Sequence, residues 1–274
     1  RAGLDYHTVG EYMSNTAMIV VGFCIIFAAT SLGASFVFFF KNKISEKVNT
    51  VFLGFAAGVM TAASIWSLLI PSIDGASYMG DWAFVPAAVG MLIGGLVLAI
   101  LDKVVPHFHS GAEKEEGPPS ELHKYTKMFL AVTLHNIPEG LAVGFAFGAA
   151  ASAGDDAMYV SAFGLAIGLA IQNLPEGAAV ALPMKNALGS RAKAFGYGVG
   201  SGAVEPVFAV IGYFLSAYLT SVQPWLLAFA AGAMIFVVAD DLIPDSKLAD
   251  HPHLGTWGVI IGFVIMMTLD VALG

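Results

Sequence analysis

Long apolar runs separated by short polar stretches dominate this chain of 274 residues. A membrane-spanning helix needs about 20 predominantly apolar residues. Eight runs meet this requirement and predict transmembrane helices at about 16–40, 49–70, 83–101, 125–149, 158–183, 195–219, 225–243 and 255–273. We number these predicted helices 1 to 8. The pattern predicts an all-α polytopic membrane protein in which 1–274 form a single transmembrane domain.

The composition excludes an ordinary soluble protein. Charged residues make up 12% of the chain and hydrophobic residues 57%, whereas a soluble domain has about 25% charged residues. The net charge of -8 says little about partners; we expect membrane lipid around the helices and no nucleic acid. The single cysteine, Cys24, excludes a disulfide within the chain and a thiolate metal cluster.

The basic residues predict how the chain is threaded through the membrane. Eleven of the twelve lie in the connections that follow helices 1, 3, 5 and 7, and the exception is the terminal Arg1. These eleven are Lys41, Lys43, Lys47, Lys103, Lys114, Lys124, Lys127, Lys185, Arg191, Lys193 and Lys247. Cytoplasmic loops are enriched in Lys and Arg. We therefore expect these four connections to be cytoplasmic and both termini to be extracytoplasmic.

The cytoplasmic loop over 102–124 is the longest polar stretch. Five histidines lie in cytoplasmic connections: His107, His109 and His123 in this loop, and His251 and His253 between helices 7 and 8. One interpretation is a solvated loop with incidental histidines. The other is a weak metal-receiving site, since imidazole suits Zn²⁺ and similar ions. The sequence leaves the role of these histidines open.

Two short repeats carry polar groups into the apolar runs. The sequence HNIPEG occupies 135–140 in helix 4, and QNLPEG occupies 172–177 in helix 5. Each repeat places an imidazole or amide at one position and a carboxylate four residues later, so both groups project from one face of a helix. The proline removes one N–H and is expected to loosen the helix there. With the predicted threading, the two repeats lie on antiparallel helices, within about two turns of the membrane midplane. Secondary transporters often have this inverted-repeat plan.

Two carboxylates at this depth need a counter-charge. Each costs at least about 2.5 kcal/mol at the membrane centre, and Glu139 and Glu176 would also repel each other. The sequence provides no Lys or Arg within the predicted helices near them. A divalent cation is the natural counter-charge, bridged by Glu139 and Glu176.

The neighbouring polar residues provide further ligands for one or two ions. His135 and Gln172 can complete a first coordination shell around Glu139 and Glu176. Asn136, Asn173 and Glu205, which lies on helix 6 before Pro206, can complete a second. Imidazole with carboxylates suits Zn²⁺, Fe²⁺, Mn²⁺ or Cd²⁺ better than Cu⁺, Mg²⁺ or Ca²⁺. The competing interpretation is a proton relay without metal, because buried carboxyl groups can be neutral.

The paired motifs within eight apolar segments resemble the ZIP (Zrt-, Irt-like protein) family of divalent metal transporters. The resemblance covers essentially the whole chain. It implies uptake of Zn²⁺ and related ions into the cytoplasm, an inverted-repeat bundle with helices 4 and 5 at the centre, flanked by helices 2 and 7, and a homodimer. The implied metal ligands are His135, Asn136, Glu139, Gln172, Asn173, Glu176 and Glu205. The chain resembles a bacterial branch of the family, which implies the inner membrane.

Helix 5 departs from the His-Glu-x-Pro-His pattern common in eukaryotic members. Gln172 stands where His is usual, Asn173 where Glu is, and Glu176 where the second His is. The site is therefore richer in oxygen, and exclusive zinc selectivity is not expected.

An intramembrane di-metal enzyme is the rival from another class. Ferritin-like di-iron sites pair Glu-x-x-His motifs, whereas this chain has His-x-x-x-Glu and Gln-x-x-x-Glu, each interrupted by proline. We therefore expect no enzyme and no catalytic cofactor. The sequence does not separate a channel from an alternating-access carrier, and it gives neither the coupling ion nor the metal affinity.

Overall fold

The computed structural model describes residues 13–39, 45–105, 124–247 and 252–273. Within these ranges every long element is a helix and there is no strand. We label the helices α1 to α8, matching the predicted helices 1 to 8. Their bounds are Asn15–Phe39, Glu46–Gly75, Phe84–Val104, Lys124–Ala153, Asp156–Leu188, Arg191–Tyr218, Thr220–Ser246 and Pro252–Leu273. The all-helical prediction is confirmed, and most helices extend a few residues beyond the predicted limits.

Seven helices in the described ranges are long and apolar enough to cross a membrane. The helix outside this group is α4, which is 30 residues long but has His135, Asn136 and Glu139 within its apolar run. The chain is thus a multi-pass membrane protein. The count of eight spans and the position of the termini stay predictions.

The loop histidines fall mostly outside the described ranges. His107, His109, His123 and His251 lie there, so the predicted metal-receiving loop is not described. His253, in the first turn of α8, is exposed.

The helix irregularities do not lie where the sequence predicts them. Both α4 and α5 remain α-helical through Pro138 and Pro175. The two prolines therefore do not break the helices, contrary to the disruption expected from the sequence. One missing N–H leaves the other backbone hydrogen bonds of a long, packed helix in place. Wider π-helical turns occur instead in α2, over Ser64–Leu69, and in α7, over Val238–Leu242.

Helix α6 consists of two α-helices, Arg191–Gly202 and Val204–Tyr218, which meet at Ala203. Glu205 and Pro206 lie in the first turn of the second helix, where proline is tolerated because the first N–H groups of a helix have no intrahelical partner. The discontinuity therefore places a carboxylate at the start of a helix in the interior of the protein.

Burial separates central from peripheral helices. Within their most apolar stretches, 61% of α2, 61% of α5 and 56% of α7 are buried, compared with 28% to 39% of α1, α3, α6 and α8. The peripheral helices expose large apolar side chains such as Leu92 and Leu96 on α3 and Phe214 on α6. Such side chains suit a lipid environment.

The helix contacts follow a two-fold pattern. The most extensive pairs are α1 with α5, α4 with α6, α2 with α8, and α3 with α7; α2 also contacts α5, and α4 contacts α7. An exchange of the two halves converts each of these contact pairs into another pair in the same set. The exchange replaces α1 by α6, α2 by α7, α3 by α8 and α4 by α5, and the reverse. An internal repeat of two halves produces this pattern, and α2 and α7, which exchange, both have a π-helical turn.

Candidate metal centre

The glycine that ends each repeat brings a neighbouring helix into backbone contact. A Cβ atom added at Gly140 would lie 2.4 Å from the backbone oxygen of Glu205 on α6, and one added at Gly177 would lie 2.0 Å from that of Thr30 on α1. Only glycine permits such an approach. The repeats therefore place α6 and α1 directly against the polar residues of α4 and α5.

Gln172 connects the two repeats. Its Nε2 donates to Oε1 of Glu139 on α4 at 2.6 Å and to Oδ1 of the adjacent Asn173, also at 2.6 Å. All three side chains are fully buried. The amide thus holds a carboxylate across the interface between α4 and α5, as expected for groups on the facing sides of the two helices.

Glu205 joins this cluster from α6. It is fully buried, and its Oε1 accepts a hydrogen bond of 2.7 Å from Oγ1 of Thr30 on α1. Glu205, Glu139 and the partly buried Glu176 all lie within electrostatic reach of one another. The structure therefore brings the three predicted carboxylates together, and it adds Thr30. A threonine in an apolar run gave no signal of this role in the sequence.

Asn136 faces the same region. Its Nδ2 donates to the backbone oxygen of Ser201 on α6 at 2.9 Å, which leaves its Oδ1 without a partner. Asn173, in contrast, has its oxygen bonded to Gln172, and its side chain also interacts with Glu139 and Glu205. Of the two asparagines, Asn136 is therefore the one that presents an oxygen.

His135 has a partner that the sequence did not identify. Its Nε2 lies 3.0 Å from Oδ2 of Asp241 in the π-helical turn of α7. Glu139 and Asp102 also interact electrostatically with the ring. The sequence offers only two adjacent acids here, Asp240 and Asp241. Which of them faces inward depends on the π-helical turn: Asp241 is buried and Asp240 is exposed.

Oxygen atoms without hydrogen-bond partners accumulate in this region. Within the described part of the chain, the oxygens of this region without such a partner are Oδ1 of Asn136, Oε2 of Glu139, Oε1 of Gln172, Oε1 of Glu176 and Oε2 of Glu205. A buried polar atom without a partner costs about 1–3 kcal/mol, and more when it is charged. Five such oxygens, contributed by three adjacent helices, form a region that a cation would stabilise.

The ligand set itself stays a prediction. Among the described residues, no three His, Cys, Asp or Glu side chains stand close enough to enclose an ion without moving. The amide of Gln172 occupies one oxygen of Glu139.

A cavity of about 580 Å³ lies at one end of the bundle, between α2, α4, α5 and α7. Ser67, Asp74, Ala146, Asp155 and Ser161 are among its lining residues. Ala146 follows Glu139 by seven residues of α4, about 10 Å along the helix axis. We call this space the outer cavity, because the predicted threading places this end of the bundle outside the cytoplasm.

The fold and this region define a polytopic helical membrane protein with a buried, acidic polar centre. The family described as ZIP Zinc transporter matches residues 125–270. The chain is 34% identical to zinc transporter ZIP11 of Homo sapiens, over 95% of this chain and 98% of that protein. It is 35% identical to zinc transporter ZIPB of Bordetella bronchiseptica, over 100% of this chain and 87% of that protein. Zinc transporter ZupT of Chlorobaculum parvum is 32% identical over 87% of this chain and 91% of that protein.

The chain therefore belongs to the ZIP family, as its motifs predicted, and the activity of this family is divalent metal transport. The relatives are named as transporters rather than enzymes. Bacterial and vertebrate proteins match at similar identities, so these similarities do not separate a bacterial branch from the rest of the family.

Proposed function

We propose that this protein moves Zn²⁺, and also Cd²⁺, Fe²⁺ or Mn²⁺, into the cytoplasm through a binuclear site at the membrane midplane. The observation that carries the proposal is the group of five unpartnered oxygens on α4, α5 and α6. The zinc transporters to which the chain is similar favour zinc as the principal ion.

The first ion position consists of Glu139, Glu176, His135 and Gln172. Glu139 and Gln172 already touch across the interface between α4 and α5, and Glu176 lies in electrostatic reach of Glu139. An arriving cation breaks the hydrogen bond between Gln172 and Glu139 and binds an oxygen of each side chain. The energy of this exchange is moderate, because one hydrogen bond to a carboxylate is replaced by bonds to a divalent ion.

Asn136, Asn173 and Glu205 complete the second position around Glu139 and Glu176, which bridge the two ions. Asn136 has a buried oxygen that no described residue bonds, and Thr30 binds one oxygen of Glu205 so that the other remains available. Asn173 must rotate its amide to offer oxygen. The two positions share the carboxylates of α4 and α5, so a second ion also offsets their mutual repulsion.

The direction of transport rests on the outer cavity. Asp74 and Asp155 at its rim attract cations, and the predicted cytoplasmic connections lie at the opposite ends of the same helices. Eight spans, extracytoplasmic termini, the inner membrane and the homodimer belong to the same proposal.

Uptake into proteoliposomes tests this function. We expect saturable flux of Zn²⁺ and of at least one other divalent metal, accelerated by metal on the trans side, which distinguishes a carrier from a channel. Proton flux without any metal flux would contradict the proposal and favour the proton relay. Metal-dependent turnover of an organic substrate without metal flux would favour the di-metal enzyme.

Metal stoichiometry tests the binuclear arrangement. Glu205→Ala removes a carboxylate of the second position only, so we expect one bound metal to remain and transport to decrease without disappearing. Equilibrium dialysis with Zn²⁺ or Cd²⁺ measures the number of bound ions. Loss of all bound metal in Glu205→Ala would show that Glu205 belongs to the first position.

A further inference from the structure

Ser67 makes a hydrogen bond that differs from those of Thr61 and Ser64 on the same helix. Thr61 donates to the carbonyl of Ala57 at 2.6 Å, and Ser64 donates to that of Met60 at 2.8 Å. These are the usual bonds to the carbonyl four residues earlier. Ser67 lies within the π-helical turn and donates instead to Oδ1 of Asp270 on α8.

Asp270 is a carboxylate that the buried polar centre does not explain. It is buried, with 6% of its surface exposed, near the end of the membrane-spanning helix α8. Its second oxygen, Oδ2, has no hydrogen-bond partner. A carboxylate at such a place is costly and is a functional hypothesis by default. Its one hydrogen bond leads through Ser67 to the outer cavity, which Ser67 lines.

The direction of this bond decides what Ser67 offers to the cavity. A serine hydroxyl has one hydrogen and two lone pairs. Because Asp270 accepts the hydrogen, the remaining valences of the oxygen are lone pairs, which bind cations. A serine bonded to its own helix, like Ser64, has its hydrogen directed to a carbonyl and carries no negative group behind it.

The position of Ser67 along the route makes this orientation useful. Beyond the outer cavity each central helix continues into fully buried apolar side chains: Met60 on α2, Leu165 and Leu169 on α5, and Met234 on α7. By sequence position Leu165 and Leu169 lie between the cavity-lining residues and Gln172 on α5, and Met234 lies between the cavity-lining residues and Asp241 on α7. Met60 precedes Ser67 by seven residues of α2. A cation that leaves the water of the cavity therefore needs an oxygen ligand at this boundary.

We propose that Asp270 is a positioning residue for metal transport: it turns the lone pairs of Ser67 towards the outer cavity, where they act as a transient ligand for a divalent cation. The negative charge of Asp270, which is hydrogen-bonded to this ligand, strengthens the attraction between Ser67 and the cation. This role rests on the proposed function of the outer cavity as the route of uptake.

Initial rates of Zn²⁺ uptake in proteoliposomes test the role. Asp270→Asn keeps the shape and removes the charge, and Ser67→Ala removes the hydroxyl. Each is expected to raise KM about tenfold and to change kcat by less than about twofold, since a ligand used before the midplane site affects capture more than turnover. Combining the two changes should raise KM no further than Ser67→Ala alone, because the charge of Asp270 acts on the cation through the hydroxyl of Ser67. Ser67→Thr, which retains the hydroxyl, should keep a KM near that of the wild type.

The matched control is Asp74→Asn, which removes an exposed carboxylate from the same cavity without touching Ser67. Its effect on KM should fade at high ionic strength, whereas that of Asp270→Asn should persist. Unchanged KM in Ser67→Ala, or additive effects in the double variant, would overturn the role of Asp270. Thermal unfolding in detergent shows whether Asp270→Asn folds. If it does not, the KM values of Ser67→Ala and Ser67→Thr still test the role of the Ser67 hydroxyl. A wild-type protein that moves no divalent metal would instead refute the proposed function itself.

Discussion

The repeats on α4 and α5 differ at their first residue, and this residue faces a different neighbour in each. On α5, Gln172 turns inward and bonds to Glu139 and Asn173. On α4, His135 bonds to Asp241 of α7. The spacing of the motif places both residues on equivalent faces, but the contact each one makes depends on the adjacent helix. The repeat on α5 therefore binds the carboxylate of the repeat on α4, and the repeat on α4 binds α7.

The chemistry of the two side chains matches these contacts. An amide both donates and accepts, so Gln172 can bridge a carboxylate and another amide while keeping its oxygen available. An imidazole bound to a metal through one nitrogen commonly donates its other N–H to a carboxylate. With Nε2 directed to Asp241, His135 would offer Nδ1 to the ion.

The largest effect should come from removing the carboxylate that the two repeats share as their fifth residue. Glu139→Ala combined with Glu176→Ala leaves the first ion position without charge, so we expect metal binding and uptake to fall to background. Equilibrium dialysis and proteoliposome uptake measure the two quantities. Asp81→Ala, which removes an exposed acid far from the motifs, is the control. Undiminished metal stoichiometry in the double variant would contradict the assignment of the site.

The next effect should come from breaking the contact that is specific to α4. Asp241→Ala leaves His135 without its carboxylate partner, and loss of such a partner typically lowers metal affinity about 10- to 100-fold. Competition between the protein and a zinc chelator measures the affinity. Asp240→Ala, at the exposed neighbouring position, should have little effect. Equal losses in both variants would indicate a general effect of charge rather than support of His135.

Making the two repeats alike should have a smaller effect. Gln172→His replaces an oxygen ligand by nitrogen, which favours Zn²⁺ over Mn²⁺ or Fe²⁺. We expect the preference to rise about tenfold, on the scale of 1.4 kcal/mol for one exchanged ligand. The measurement is the inhibition of labelled Zn²⁺ uptake by each competing metal. Unchanged inhibition ratios would mean that Gln172 is not a metal ligand or that selectivity arises elsewhere.

The smallest effect should come from Thr30, which supports Glu205 without belonging to either repeat. Thr30→Val removes the hydrogen bond to Oε1 of Glu205, and we expect the affinity of the second ion position to fall about fivefold, equivalent to about 1 kcal/mol. Thr30→Ser keeps the hydroxyl and is the control. Isothermal titration calorimetry with Zn²⁺ measures the affinities of the two ion positions separately. A change in the first position alone would show that Thr30 acts elsewhere.

The sequence was sufficient for the features that repeat or persist along one helix. Apolar runs of about 20 residues predicted the helices, and the spacing of four residues placed Glu139 and Glu176 beside their partners. The motif also identified the family. These signals are local, since each depends only on residues within one or two turns.

Contacts between distant helices were not predictable in this way. Asp241 and Ser67 lie in the π-helical turns of α7 and α2, and they contact His135 and Asp270 on other helices. No residue in either turn predicts the wider hydrogen-bonding pattern. The prolines gave the opposite error: a local rule predicted disruption, but long, packed helices continue through Pro138 and Pro175. The packing of neighbouring helices determines both the contacts of Asp241 and Asp270 and the continuity of α4 and α5 at their prolines.

The apolar layer between the outer cavity and the metal centre has an electrical consequence. Water in the cavity carries the external potential inward, so much of the voltage across the membrane falls over the side chains of Met60, Leu165, Leu169 and Met234. An elementary charge crossing the full voltage exchanges about 2.3 kcal/mol per 100 mV, and a divalent ion exchanges up to about twice that. On the proposed route of uptake, the step that follows the cavity is therefore the one at which a resting membrane voltage drives the ion inward.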